Sequence, residues 1–449
     1  MTNIAEIFRN AFKIPELRAK LIFTMVILVL YRLGASVPVP FVLPGAMDQL
    51  FGMGEGNIFG FLDILSGQAF SSATLFALGI QPYITASIVM QLLTIAVPAL
   101  EKLQKSGDSG RKKISQITRY LTVALGLVTG FGYYMTIRSF GMIATHGNTF
   151  FIGLVIVVCY AAGSSLIMWL GERINENGVG NGISIILFAN IISTLPSWIM
   201  SLVSSVIDEI TITGEAAAVI IHIVRAVVII AGAIVVLGFV VYFSNAERRL
   251  PVQYSKRMVG RKMYGGQNTY LPIKVNMSGV MPIIFAMSMI SIPATIIGFT
   301  NPNPVPGTIA WHVTNLFSPM SPLYMVVCFA LIIAFAFFYI SISFNPLEVS
   351  NNLKKNGGFV PGIRPGKPTV DYITKILNKI VLIGGIFLGI VTVLPLLINA
   401  VATAIAPEWG LGAIAFGGSS LLIVVGVALE TTREIEAQMT MRHYKGFLE

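Results

Sequence analysis

Residues 275–347 read VNMSGVMPIIFAMSMISIPATIIGFTNPNPVPGTIAWHVTNLFSPMSPLYMVVCFALIIAFAFFYISISFNPL, 73 consecutive positions without Asp, Glu, Lys or Arg. A helix needs about 20 apolar residues to cross a bilayer, so this run has length for two crossings. Asn301-Pro302-Asn303-Pro304-Val305-Pro306-Gly307 divides it, because proline and glycine end helices and favour turns. The apolar runs on either side are continuous rather than alternating. That pattern predicts membrane helices and not a barrel.

The same reading extends outward along the 449 residues. Charge-free stretches also occupy 64–100, 120–137, 139–171, 177–207, 226–246, 380–407 and 409–429. Only 11% of residues are charged and 55% are apolar, against roughly a quarter charged in a soluble domain. The composition therefore defines an integral membrane protein, all-α and polytopic, with ten spans at 21–37, 71–97, 116–137, 150–171, 183–206, 217–243, 276–299, 321–344, 376–405 and 411–429. The N-terminal basic segment followed by an apolar run resembles a signal peptide, but nine more spans follow it, so it is read as a retained first span.

Charge orients the chain. Of its 30 Lys and Arg residues, 27 fall on one side of these spans, and only Arg32, Arg138 and Arg225 fall on the other. Acidic residues divide 13 to 7, so one face carries +14 and the other −4. The basic face, with both termini, is expected in the cytoplasm. The short loop near Ile207 to Glu215 divides the chain into an N-terminal half at 1–206, a hinge at 207–216 and a C-terminal half at 217–430, with a tail at 431–449. Five spans per half is an odd number, so the two halves are expected to be inverted relative to each other, with a functional path between them.

Enzyme chemistry finds no foothold. The four histidines are scattered at 146, 222, 312 and 443, and no metal-ligand cluster or nucleophile constellation appears at useful spacing. Neither a catalytic site, a metal site nor a cofactor is expected. Gly178-Val179-Gly180-Asn181-Gly182 lacks a preceding strand and is read as a close-packed turn into span 5, not as a nucleotide loop. Cys159 and Cys328 lie in apolar runs as small buried side chains. A secondary transporter also fits ten spans, but such proteins use ionisable groups near the midplane. None is expected there, since Arg32 and Arg138 fall near the outer ends of spans 1 and 3, where they can snorkel.

Ile80 and Ile84 in span 2, and Leu187 and Ile191 in span 5, each share a helix face. Bulky aliphatics from several helices could close a dewetted constriction, although packing and lipid contact are the ordinary use of such residues. Residues 57–70, preceding span 2, fit a re-entrant half-helix or a short helix on the outer face. Loop 246–274 carries seven cations against one acid, interleaved with Tyr254, Tyr264 and Tyr270, and loop 345–379 carries six cations against two acids. Such loops suit RNA or an acidic protein partner or anionic lipid headgroups. An adaptor that merely docks partners would explain these loops but not the interrupted lead-in to span 2.

Seven strings then carry a resemblance. Phe344-Asn345-Pro346 followed by Gly-Phe-Val-Pro-Gly-Ile-Arg-Pro-Gly at 358–366 is similar to the fifth cytoplasmic loop of the bacterial SecY family. Similar strings are ALGIQPYITASI at 77–88, GRKKISQITRY at 110–120, WLGERI at 169–174, GNGISI at 180–185, LPIKVNMSGV at 271–280 and FGGSSLLIVV at 416–425. They occur in order over essentially the whole chain. The resemblance implies the channel subunit of a bacterial protein translocase. Such a channel moves unfolded secretory chains across the cytoplasmic membrane and releases hydrophobic segments into lipid, and its two five-helix halves form a clamshell around a central pore.

Carried over position by position, the resemblance implies a pore ring of Ile80, Ile84, Leu187, Ile191, Ile284 and Ile423. Leu187 stands where isoleucine is common among relatives. It implies a plug at 57–70, including Asn57, Phe59, Phe61, Leu62, Ile64, Leu65, Ser66 and Gly67, and a lateral gate with Thr85, Ser87 and Asn276. Docking of a motor or ribosome would use Arg249, Lys256, Arg257, Arg261, Lys262, Lys354, Lys355 and Arg364. The prolines on either side of Arg364, Pro361 and Pro365, limit the loop's conformations and present its guanidinium with less entropy to lose. The partners implied are SecE, SecG, the SecA ATPase, the ribosome with its rRNA, signal-bearing preproteins and membrane lipids.

Overall fold

The computed structural model describes residues 4–43, 58–143, 148–212, 216–254, 257–259, 262–264, 268–300, 307–318, 321–405 and 417–445. A helix occupies each of the ten expected spans. These are α2 (Pro15–Gly34), α4 (Gln81–Ala96), α6 (Asp108–Ser139), α7 (Thr149–Asn177), α8 (Gly182–Ile212), α9 (Ala216–Ser244), α10 (Met281–Thr300), α12 (Pro322–Ser343), α14 (Lys367–Ile405) and α15 (Gly417–Lys445). Shorter helices are α1 (Ile4–Lys13), α3 (Ile58–Ser66), α5 (Pro98–Lys105), α11 (Ile309–Leu316) and α13 (Pro346–Lys355).

Among the described residues, six helices are individually long and apolar enough to cross a bilayer, or seven if α4 and α5, bent by 100°, count as one span. The bend falls at Val97-Pro98, where proline cannot continue the hydrogen-bond ladder of α4. Glu16, Arg18 and Lys20 make the first turns of α2 polar, and α15 turns charged beyond Leu429. In both helices the apolar part is thus shorter than the helix.

Helix packing forms two seams. α2, α4, α6, α7 and α8 pack among themselves, as do α9, α10, α12, α14 and α15. On one side the halves meet where α8 packs on α9 and α15; on the other, α10 packs on α4 and α6, with α3 set between α8 and α10. The expected hinge at 207–216 is helical as far as Ile212, while 213–215 and the Pro-rich divider at 301–306 lie outside the described residues.

Span 2 differs from its expected limits. Helix begins at Gln81, not at 71, and residues 67–80 are turns with positive φ at Gly67, Gln68, Ala73 and Gly79. Backbone polar groups at membrane depth need partners inside the protein. Here Tyr133 Oη donates to Phe70 O at 2.6 Å, Tyr160 Oη to Ala73 O at 3.3 Å and Leu75 N to Val37 O at 2.9 Å. The turn at 178–182 is close-packed as expected, because a Cβ on Gly182 would lie 2.0 Å from Gly171 O.

The loop after α9 folds into strands that its charge pattern alone did not reveal. β1 (Glu247–Tyr254) pairs antiparallel with β4 (Asn268–Lys274) from Glu247↔Lys274 to Gln253↔Asn268. β2 (Arg257–Val259) and β3 (Lys262–Tyr264) form a second hairpin, and β5 (Gly358–Phe359) adds to β1 at Gln253↔Phe359 and Tyr254↔Gly358. Both basic loops therefore share one sheet at one end of the helices.

Candidate functional site: an aliphatic ring, its plug and a basic end

Ile80 precedes the first turn of α4 and Ile84 lies one turn on. Leu187 and Ile191 are one turn apart on α8, Ile284 is in the first turn of α10 and Ile423 is in α15. All six are between 0 and 5% exposed and belong to one buried cluster drawn from both halves. Aliphatic side chains that pack this way leave no polar group to hydrate a passage.

α3 stands against this cluster, with Ile64 and Leu65 packed on it and Leu62 in the neighbouring cluster of Phe70, Tyr133 and Tyr160. The end of α3 is tied to the N-terminal half. Asn190 Nδ2 donates to Leu65 O at 2.6 Å, Arg32 Nη1 to Gly67 O at 2.9 Å and Gln68 Nε2 to Ser197 Oγ at 2.8 Å. Within the segment, Ser71 N donates to Asp63 Oδ1 at 2.8 Å and Phe70 N to Ser66 Oγ at 3.0 Å. Arg32 thus has an inward partner, where snorkelling alone was expected. Asn57 lies outside the described residues, and Phe59 and Phe61 are placed only as positions of α3.

A cavity of about 320 Å³ opens on the α4/α6–α10 seam. Leu62, Leu65 and Ser66 of α3, Gln81 and Thr85 of α4, Leu125 and Thr129 of α6, and Ser291 and Thr295 of α10 line it. Thr85 therefore sits at the seam. Ser87 is half-buried and accepts from Gln91 within its own helix, and Asn276 lies in the lead-in to α10 and does not line the cavity. Ser291 and Thr295, four residues apart on α10 and both lining the cavity, are a polar pair that the span pattern did not single out.

At the sheet end, Arg249 Nε pairs with Glu247 Oε1 at 2.7 Å, and Lys354 and Lys355 close α13, where cations suit the helix C-terminus. Arg364 is exposed between Gly362 (φ +79°) and Gly366 (φ +105°), and its carbonyl accepts from Thr369 Oγ1 at 2.9 Å. Arg257 and Lys262 lie on β2 and β3, while Lys256 and Arg261 fall outside the described residues. The hairpin base carries its own charge cluster. Burial first, and then Arg433, lowers the Lys274 ammonium from its usual value; burial first, and then Glu434, raises the Glu430 carboxyl.

Two sets of five long helices that meet in one buried aliphatic cluster, with the short helix α3 packed against it, define an all-α polytopic membrane protein. A family model described as SecY matches residues 74–432. The chain is 44% identical to the protein translocase subunit SecY of Streptomyces scabiei, over 98% of this chain and 99% of that one. It is 40% identical to the protein of the same name from Thermus thermophilus, over 98% and 97%. Among solved structures, one described as a protein conducting channel shares the fold at TM-score 0.64 and 18% identity, covering 93% of this chain and 92% of that one. Canine Sec61 in a ribosome-channel complex shares it at 0.60 and 16%, covering 94% and 92%. The chain belongs to the SecY family.

Proposed function

We propose that this protein is the protein-conducting channel of a bacterial translocase, threading unfolded secretory chains through the aliphatic ring and releasing hydrophobic segments through the α4/α6–α10 seam. The observation that carries this reading is the convergence of Ile80, Ile84, Leu187, Ile191, Ile284 and Ile423 in one buried cluster, with α3 packed against it. Closed, the ring and plug exclude water and ions without any charged gate. A signal segment entering the seam at Thr85 and the nearby cavity separates the halves and displaces α3.

The relatives' name supplies the substrate class, and the sheet end supplies the docking surface. Arg364, Lys354, Lys355 and the cations of β1 to β4 meet a SecA motor or ribosomal RNA, whose negative charge they complement. SecE and SecG complete the membrane complex. The basic end and both termini face the cytoplasm of the bacterial inner membrane. Work comes from the motor, the ribosome or the membrane potential.

Reconstitution tests the reading. Vesicles holding this chain with SecE and SecG, given SecA, ATP and a preprotein, should protect the preprotein from external protease, and vesicles lacking the chain should not. Equal protection in both would refute it.

A further inference from the structure

The last helix does not stop at the end of its apolar part. Beyond Leu429, α15 continues as a charged extension to Lys445, and that extension touches both halves of the molecule. Towards the N-terminal half, Ile435 is fully buried in a cluster with Ile7 and Ala11 of α1, Leu17 of α2 and Val179 of the turn before α8. Met439 packs on the same cluster, and Lys20 Nζ donates to Gln438 Oε1 at 3.3 Å.

Towards the C-terminal half, Arg433 Nη2 donates to Ser244 O at 3.0 Å and to Asn245 Oδ1 at 2.7 Å, where α9 hands over to β1. Residues 433 and 435 are two apart, and at about 100° per residue they project to nearly opposite sides of one helix. A single helix turn therefore carries a polar footing on one half and an apolar footing on the other. Higher up, the same helix packs on α8 and α9, the side of the molecule away from the cavity seam.

We propose that the α15 extension is a cross-brace that fastens the two halves together on the α8–α9 side, so that their separation is confined to the α4/α6–α10 seam. Its consequence for gating rests on the channel reading above; the brace itself is a statement about distances. Ile423 lies ten residues before Arg433 on the same helix, a rise of about 15 Å. Holding the extension still therefore holds one ring side chain still while the opposite seam moves.

The test uses the full chain in its membrane complex, with Cys159 and Cys328 replaced by alanine and spin labels at Glu176→Cys and Lys379→Cys, one exposed site on each half. Pulsed dipolar spectroscopy should give one narrow distance distribution for the parent. Arg433→Ala and Ile435→Ala, each removing one footing, should broaden it and move it to longer separations. Arg433→Lys, which keeps a donor, should fall between Arg433→Ala and the parent. Thr440→Ala, on the same extension but at neither footing, should leave it unchanged.

Unchanged distributions in both footing variants, eluting as intact complexes, would overturn the brace. So would an equal shift in Thr440→Ala, which would signify general loosening of the helix. Because these distances need no transport, failure of the parent to move preproteins would refute the channel reading without touching the brace.

Discussion

Gly67 joins α3, the proposed plug, to the turns that follow it, at φ +68°, a region where an L side chain is strained. A Cβ there would also meet Asn190 Oδ1 at 2.9 Å and Arg32 Nη1 at 3.1 Å, two of the side chains that tie this segment to the N-terminal half. Gly67→Ala should cost about 1–2 kcal/mol through the left-handed backbone alone. The variant is expected to loosen the plug and raise resting ion conductance in planar bilayers; a conductance equal to the parent's would deny the segment a sealing role. At the opposite end, Arg364→Glu should stop motor-driven export while leaving membrane insertion intact, measured as preprotein protection against the amount of folded channel. Unimpaired export would remove Arg364 from docking. Single positions were legible where spacing is local: Ile80 with Ile84 and Leu187 with Ile191 follow from one helix turn. Arg32 reaching Gly67 was not legible, because the contact joins residues 35 apart and depends on how α2 stands beside the plug.

Elements were legible in proportion to their apolar length. The end of α6 at Ser139 and the start of α7 at Thr149 lie beside the expected span limits, although both helices run on into charged sequence at their other ends, whereas α4 starts at Gln81 and not at 71, because residues 71–80 are apolar enough for a span yet form buried turns. The sheet was missed for a different reason. β1 alternates poorly and is rich in arginine, so its charge drew a docking reading and its pairing with β4 and β5 stayed hidden. α15 supplies the pH-dependent prediction. Glu430 is held above the ordinary carboxylate value mainly by burial, then by Glu434, and is opposed by Lys274 and Arg433, with Glu247 facing Lys274 across the hairpin base. An acid whose folded pKa is raised binds its proton more tightly when folded, so its contribution to stability falls as pH rises from 4.5 towards the raised value. Because the Glu430 side chain keeps solvent contact, the effect is screened and small, and Glu430→Gln should only slightly flatten that part of the pH profile of thermal unfolding. A profile unchanged by the substitution would show that Glu430 is fully solvated.

At the scale of the whole molecule, a helix at each expected span and five long helices packed in each half follow hydropathy and charge, whereas the proposed pore ring rests on family resemblance laid over helix spacing. What the sequence left open was the existence of two unlike seams, one packed through α8, α9 and α15 and one holding a cavity lined by Thr85, Thr129, Ser291 and Thr295. Replacing Ile84 and Ile423 together by glycine should widen and hydrate the constriction and raise ion leak, while leaving the two-seam packing in place. The proposed passage runs through the ring. A secretory chain stalled in transit, carrying a photo-crosslinker at successive positions, should label residues 80, 84, 187, 191, 284 and 423 in the assembled complex. Labelling confined to the loops of the outer face, with none of these six reached, would contradict it.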